Sequence, residues 1–118
     1  MITMHGFFDL KANQSEAAFA DAYNQFATHL IEHQLIIASR AMRRRPDPNY
    51  DSSPPKTKYY ISMDFTDMVQ AQACWDYIED AATTSTKLHR NVYGRIESYS
   101  FFLSEDLLNN TFSQQAQC

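Results

Sequence analysis

Glycine is almost missing from this chain of 118 residues; Gly6 and Gly94 are the only two. A turn-rich all-β sandwich is thereby excluded as a reading. The four prolines all fall in one stretch, at Pro46, Pro48, Pro54 and Pro55. Cysteine is just as sparse: Cys74 sits in a helical pattern and Cys118 is the last residue, so no disulfide framework is expected. The longest aliphatic cluster, Leu35 to Ala38, is far too short to span a bilayer. "MITMHGFFDL" has neither a charged n-region nor a long apolar h-region, so we expect no signal peptide and a cytoplasmic location. The acceptor patterns at Asn13-Gln-Ser15 and Asn109-Asn-Thr111 carry no meaning without such a signal. An excess of positive charge is lacking too. Formal net charge is −4, which argues against a dedicated nucleic-acid binder, whose affinity comes from cations meeting phosphates. We expect neither nucleic acid nor membrane as a partner.

What is present is apolar and aromatic. Hydrophobic residues make up 44% and aromatics 14%, with eight Phe and seven Tyr, too much for a disordered chain. The length suits one domain with one real core.

Met4 to Leu10 alternates as a strand, with Met4, Gly6, Phe8 and Leu10 on one face and His5, Phe7 and Asp9 on the other. "NQSE", Asn13 to Glu16, signals a helix start. Phe19, Ala22, Tyr23, Phe26 and Leu30 follow as an apolar stripe, and the helix is expected to end near Leu30. Leu35 to Arg43 has strand-type content with both faces fairly apolar. Residues 44–58, "RRPDPNYDSSPPK" with its flanks, are a loop long enough to suggest function. Tyr59 to Phe65 is the clearest strand. Asp67 with Gln70 caps a second helix, whose stripe is Met68, Ala71, Trp75, Ile78 and Ala82. The run Thr83 to Thr86 weakens it, with a frayed continuation towards His89. Gly94 marks a turn, and Ile96 to Leu103 is the last strand. We divide the chain into a domain over 1–103 and a polar tail over 104–118, with an apolar patch at Leu107, Leu108 and Phe112.

The order strand, helix, strand, strand, helix, strand is the split βαβ pattern of a ferredoxin-like α+β fold. Short right-handed connections favour an antiparallel sheet in the order 4-1-3-2, with both helices on one face. That face should carry Phe8, Leu10, Ile61, Met63, Phe65, Tyr99, Phe101 and Leu103. The other should carry His5, Phe7, Asp9, Ile36, Ala38, Arg40, Met42, Tyr60, Ser62, Asp64, Ser98, Ser100 and Phe102. Its large apolar groups are too many to leave in water as one patch. A second copy packed face to face would hide them and leave a cavity between, so we expect a homodimer.

Element order, length, the half-apolar open face and the polar tail resemble the dimeric α+β barrel superfamily over residues 4 to 103. That superfamily includes antibiotic-biosynthesis-type monooxygenases, muconolactone isomerases, EthD-like and stress-responsive barrel proteins. The resemblance rests on pattern, so no active-site residue comes with it. It implies a bacterial small-molecule-binding dimer that works without a cofactor, as an oxygenase or isomerase on a small aromatic or carboxylated compound. The alternative is a non-catalytic dimer whose cleft is filled by side chains. A third reading is a nucleic-acid or protein-binding module using the arginine loop.

From the residues themselves, the open face is the candidate site. With His5 opposite Asp64, Phe7 opposite Ser62 and Asp9 opposite Tyr60, His5 and Asp64 form an oriented imidazole and carboxylate, a catalytic general base. Phe7, Asp9, Arg40, Tyr60, Ser62, Ser100 and Phe102 then bind substrate, with Arg40 as an anion fork. The plainer reading is a polar network at the dimer interface. A two-residue slip in register would break the dyad and keep the faces. "HLIEH", His29 to His33, fits a zinc-protease pattern, but that chemistry needs a third ligand and a larger fold, so no metal is expected. "KLHRNVYGR", Lys87 to Arg95, offers His89 and Tyr93 near the barrel mouth, or an exposed connection. Arg43 to Arg45 either lean over a neighbouring subunit or stay solvated, with Asp47 and Asp51 close by.

Overall fold

A computed structural model describes residues 1–80, 82 and 84–110, with the backbone alone at 84 and 85. Thr83, Phe112 and Cys118 lie outside the described residues. The element order is β1 (Ile2–Leu10), α1 (Glu16–Glu32), β2 (Ala38–Arg43), β3 (Tyr59–Phe65), α2 (Met68–Glu79), α3 (Thr84–Tyr93) and β4 (Ile96–Glu105). The strands form one antiparallel sheet in the order β2-β3-β1-β4, which is the expected 4-1-3-2 order read from the other edge. Among the described residues no helix is long and apolar enough to cross a membrane.

The helix stripe of α1 is buried as the spacing requires: Phe19, Ala22, Tyr23, Phe26, Ala27 and Leu30 all face inward. Its N-cap is Ser15, whose Oγ accepts from the Ala18 amide at 3.1 Å, satisfying one orphan donor. The helix runs two residues past Leu30 and closes with a Schellman motif. Leu35 N–H donates to the Leu30 carbonyl and Gln34 N–H to that of Ile31, both at 2.9 Å. Gln34 takes the left-handed conformation this needs, at φ 58°. The motif turns the chain so that Ile36 enters the core at 3% exposure. This corrects the expectation that Ile36 lies on the open face. Strand parity does not apply there, because β2 begins only at Ala38.

Phe8, Ile61, Met63, Phe65 and Ile96 meet this stripe from the sheet. Fully burying such side chains stabilises by about 1.5–3 kcal/mol each. The second helical segment differs most from expectation. α2 stops at Glu79 and α3 is a separate helix, not a frayed continuation. The Thr86 hydroxyl bonds the carbonyls of Ile78, at 3.0 Å, and Asp80, at 2.8 Å, tying the start of α3 to the end of α2. The predicted cap of α2 is present: Asp67 Oδ1 accepts from the Gln70 amide at 2.9 Å. Gln70 Oε1 reaches back to the Thr66 amide at 2.8 Å. Ala71, Cys74 and Ile78 form the buried side of α2, whereas Met68 and Trp75 are half exposed.

Both outer ends of the sheet exceed the expected 4–103 span. Ile2 pairs with Phe65 and Glu105, and Thr3 with Asp64 and Ser104, so β1 and β4 lengthen together. A bulge interrupts the β1–β4 ladder between Phe7 and Asp9, with Ser98 at φ 54°. Ser98 is therefore the extra residue, and Glu97, opposite Asp9, takes the open-face position expected of Ser98.

Candidate functional site

The open face is built from three cross-sheet rows. Arg40, Ser62, His5 and Phe102 form one; Met42, Tyr60, Phe7 and Ser100 form the next; Ala38, Asp64, Thr3 and Ser104 form the third. Asp9 lies beyond them, where its Oδ1 accepts from the Lys58 amide at 2.7 Å. The structure thus gathers His5, Phe7, Arg40, Tyr60, Ser62, Ser100 and Phe102 into two adjacent rows. It does not pair His5 with Asp64. The actual register is slipped by two residues from the assumed one, so His5 opposes Ser62 and Thr3 opposes Asp64. Asp64 Oδ1 accepts from Thr3 Oγ1 at 2.8 Å. His5 is held instead between two hydroxyls, Tyr60 at Nδ1 and Ser104 at Nε2, both 2.6 Å away. Both ring nitrogens are thus engaged by hydroxyls and neither by a carboxylate. The expected His5–Asp64 pair is therefore not formed. The cause is that alternation fixes the faces of a strand but leaves even-numbered slips undetermined.

The ring floor of this face is continuous. Phe102 stacks on His5 with centroids 5.0 Å apart, and Phe7 lies 5.0 Å from Tyr60. Phe102 and Met42 remain 48% and 41% exposed, an apolar surface that one copy alone leaves open.

The other side of the sheet holds a partly open space. Between α2, α3 and the strands lies a cavity of about 520 Å³, within the ordinary range for small-molecule sites. Its walls are almost wholly apolar; Phe26, Ile61, Trp75 and Phe101 contribute large surfaces. Phe101 and Leu103 are 43% and 49% exposed because they stand at its mouth instead of packing under a helix. Beneath Phe101 the sheet needs Gly6: a Cβ there would sit 2.5 Å from the ring. His89, Tyr93 and Gln72 are polar groups in the wall, with Trp75 and with Tyr23, whose hydroxyl is bonded to Ser39. His89 stacks on Tyr93, centroids 5.7 Å apart, and contacts Phe26. Burial lowers its pKa, so the imidazole is neutral near pH 7. The Tyr93 hydroxyl donates to that of Tyr99, a contact that raises the Tyr93 pKa. The free hydroxyl proton of the pair is that of Tyr99, which is not among the cavity-lining residues; Tyr93, which is, can offer its own only if the bond reverses. Cys74, also in the wall, is pushed up to about 11 by burial and is an inert thiol at neutral pH.

Sequence reasoning placed its candidate site on the opposite face of the sheet from this cavity. The available signal was "KLHRNVYGR", where His89 and Tyr93 stand four apart and share a helix face once α3 exists. Trp75 was read as core packing.

The remaining motif residues have structural partners. His29 Nε2 meets the Tyr77 hydroxyl at 3.0 Å, and His33 Nδ1–H donates to the His29 carbonyl at 2.9 Å. Among the described residues no three or more His, Cys, Asp or Glu side chains are grouped to hold a metal ion. Arg43 forms a 2.6 Å ion pair with Glu16, which also accepts from the Tyr59 hydroxyl at 2.7 Å.

A ferredoxin-like α+β sheet with an apolar cavity under its helices and an unpaired opposite face defines the class. The chain belongs to a family of unknown function, DUF6614, whose model matches residues 1–115. No curated protein matches it in sequence. Among solved structures it is similar to SnoaB, a cofactor-independent oxygenase from Streptomyces nogalater, at TM-score 0.65 and 12% identity, over 92% of this chain and 94% of that one. It is also similar to a dimeric ferredoxin-like protein of unknown function from Jannaschia sp. CCS1, at TM-score 0.66 and 12% identity over 89% and 98%. An antibiotic biosynthesis monooxygenase matches at TM-score 0.59 and 12% identity over 92% and 100%. The expected resemblance to antibiotic-biosynthesis monooxygenase-type barrels holds at the level of fold.

Proposed function

We propose that this protein is a homodimer that binds a small, flat, mainly apolar molecule in the cavity between helices and sheet. On that molecule it moves a proton without a cofactor. The observation that carries the reading is the cavity itself, about 520 Å³ of apolar space with a neutral histidine and a tyrosine hydroxyl in its wall. His89 accepts a proton from an activated C–H or O–H of the ligand. In the bound state the bond within the pair reverses, Tyr99 donating to Tyr93, and the Tyr93 proton hydrogen-bonds the oxygen on which negative charge develops. Apolar walls exclude water and strengthen both interactions.

Two outcomes share this first step. Return of the proton to a different carbon is isomerisation. Reaction of the carbanion with dioxygen converts a CH₂ to a C=O, the second oxygen atom leaving as water and the substrate supplying the electrons. The oxygenase similarity of the fold supports the second outcome.

Trp75 is the one tryptophan of the chain and lines the cavity, so it reports binding directly. Titration with 1-naphthol is expected to quench its fluorescence saturably, and Ala71→Phe, which fills the cavity, should abolish the effect. With an anthrone-type ligand in deuterated buffer, the wild type should exchange the acidic C–H, and His89→Gln should bind normally but exchange at least 100-fold more slowly. Absence of saturable quenching removes the binding reading. Normal binding with exchange insensitive to His89 leaves a non-catalytic binding dimer.

A further inference from the structure

The mouth of the helix-side cavity is an apolar rim that stands open. Met68, Trp75, Tyr93, Phe101 and Leu103 form it, each between 42% and 51% exposed. The geometry points to the chain's own C-terminal segment, Leu107 to Phe112, as the piece that docks on this rim and covers a bound ligand.

Three observations meet at this place. The first is where the chain leaves the sheet. Ile2 pairs with both Phe65 and Glu105, so β4 ends on the cross-sheet row of Phe65. Phe65 lines the cavity, and α2 begins with Met68 three residues further on. Asp106 pins the exit beside them. Its amide donates to the Met1 carbonyl at 3.1 Å, and its carboxylate lies 3.7 Å from the Met1 amine.

The second observation is the pair of residues that follows. Leu107 is 103% exposed and Leu108 75%. A single exposed leucine needs no explanation. Two adjoining ones, tethered at the edge of an open apolar rim, extend one surface that water would otherwise cover on both sides.

The third is charge. Residues 107–118 contain no Asp, Glu, Lys or Arg, and none lines the cavity. The segment therefore lies on the rim without stripping water from a charged side chain. Its reach suffices. Met68 to Trp75 covers about 10 Å along α2, whereas five residues of extended chain cover about 17 Å. The second copy is proposed to pack on the opposite face of the sheet, which leaves this rim to the tail.

The covering role rests on the proposed ligand site, so docking is read first without ligand. Full-length protein carrying Asn110→Cys and Cys118→Ser is labelled with bimane, a fluorophore that tryptophan quenches on contact; Cys74 is buried and stays unlabelled. Bimane emission is expected to be quenched, and to recover in Trp75→Phe and in the double variant Leu107→Asp, Leu108→Asp. Both leucines are exposed, so the double variant leaves the core untouched. Emission that neither change alters overturns the inference. So does quenching of labelled Trp75→Phe chains after subunit exchange with unlabelled wild type, which would give the rim to the partner's tail. In stopped flow, 1-naphthol should leave the double variant at least tenfold faster than the wild type, and equal rates overturn the covering role. Quenched bimane in a protein that never binds 1-naphthol supports the docked tail and removes the ligand reading alone.

Discussion

At the scale of single residues, the chemistry of this protein depends on where burial falls. His89 and His5 are both partly enclosed, yet their situations differ. His5 has both nitrogens engaged by hydroxyls. His89 faces an apolar cavity, and burial alone lowers its pKa. A depressed histidine pKa means that the folded state resists protonation. Its contribution to stability is therefore complete above the unfolded value of about 6.5 and is lost as pH falls below that, towards the lowered folded value. Thermal unfolding followed between pH 8 and 5 should show the midpoint falling below about pH 6.5, and His89→Gln should flatten that part of the curve. An identical slope in both proteins would assign the loss to other groups. The residue type was legible in the sequence; the role was not. A histidine in "KLHRNVYGR" becomes a candidate base only when Phe26 and Tyr93 dry its surroundings.

At the scale of elements, local signals were read well where they were chemical and poorly where they were conformational. Asp67 with Gln70 announced the start of α2 through side-chain oxygens, and both bonds are present. The end of α1 carries no such mark. Its Schellman turn uses Gln34 in a left-handed conformation that glycine usually supplies, so the extra residues of α1 and the inward turn of Ile36 were hidden. Left-handed backbone costs a non-glycine residue about 1–2 kcal/mol, and glycine's greater unfolded entropy offsets roughly half of that. Gln34→Gly is thus expected to stabilise the protein by roughly 0.5–1 kcal/mol. The midpoint of a thermal melt should rise by a few degrees; a fall would show that the Gln34 side chain contributes more than its backbone costs. The break between α2 and α3 escaped notice for a similar reason. Thr86 binds two carbonyls across the break, a long-range use of a residue that local propensity records only as a weak helix former.

At the scale of the whole molecule, the two faces of the sheet divide the work. One carries the helices and the cavity; the other presents Phe102, Met42, Phe7 and Tyr60 to a proposed second copy. Phe102 sits in the same cross-sheet row as His5, on the edge strand β4. A charge placed there must be buried without a partner if the dimer forms, which costs several kcal/mol. Phe102→Glu should therefore dissociate the protein to a monomer of 13.7 kDa at micromolar concentration, measured by sedimentation equilibrium against a dimeric wild type. A wild type that is already monomeric under those conditions would remove the dimer, while leaving the helix-side cavity intact.

Alternation and helical spacing by themselves determined the four strands, helices α1 and α2, their order, the sheet topology that order permits, and most of the side chains that share a face; α3, the inward turn of Ile36 and the place of Glu97 were not among them. The features so determined follow from backbone periods of 2 and 3.6 residues that are written into the chain. Only the tertiary structure decided the strand register, the bulge at Ser98 and the distance between helices and sheet. Each of these is set by packing between segments far apart in sequence. A slip of two residues leaves every face unchanged, so no pattern in the sequence distinguishes Thr3 from His5 as the partner of Asp64. A cavity is a space left between elements, and it has no residues of its own until those elements meet.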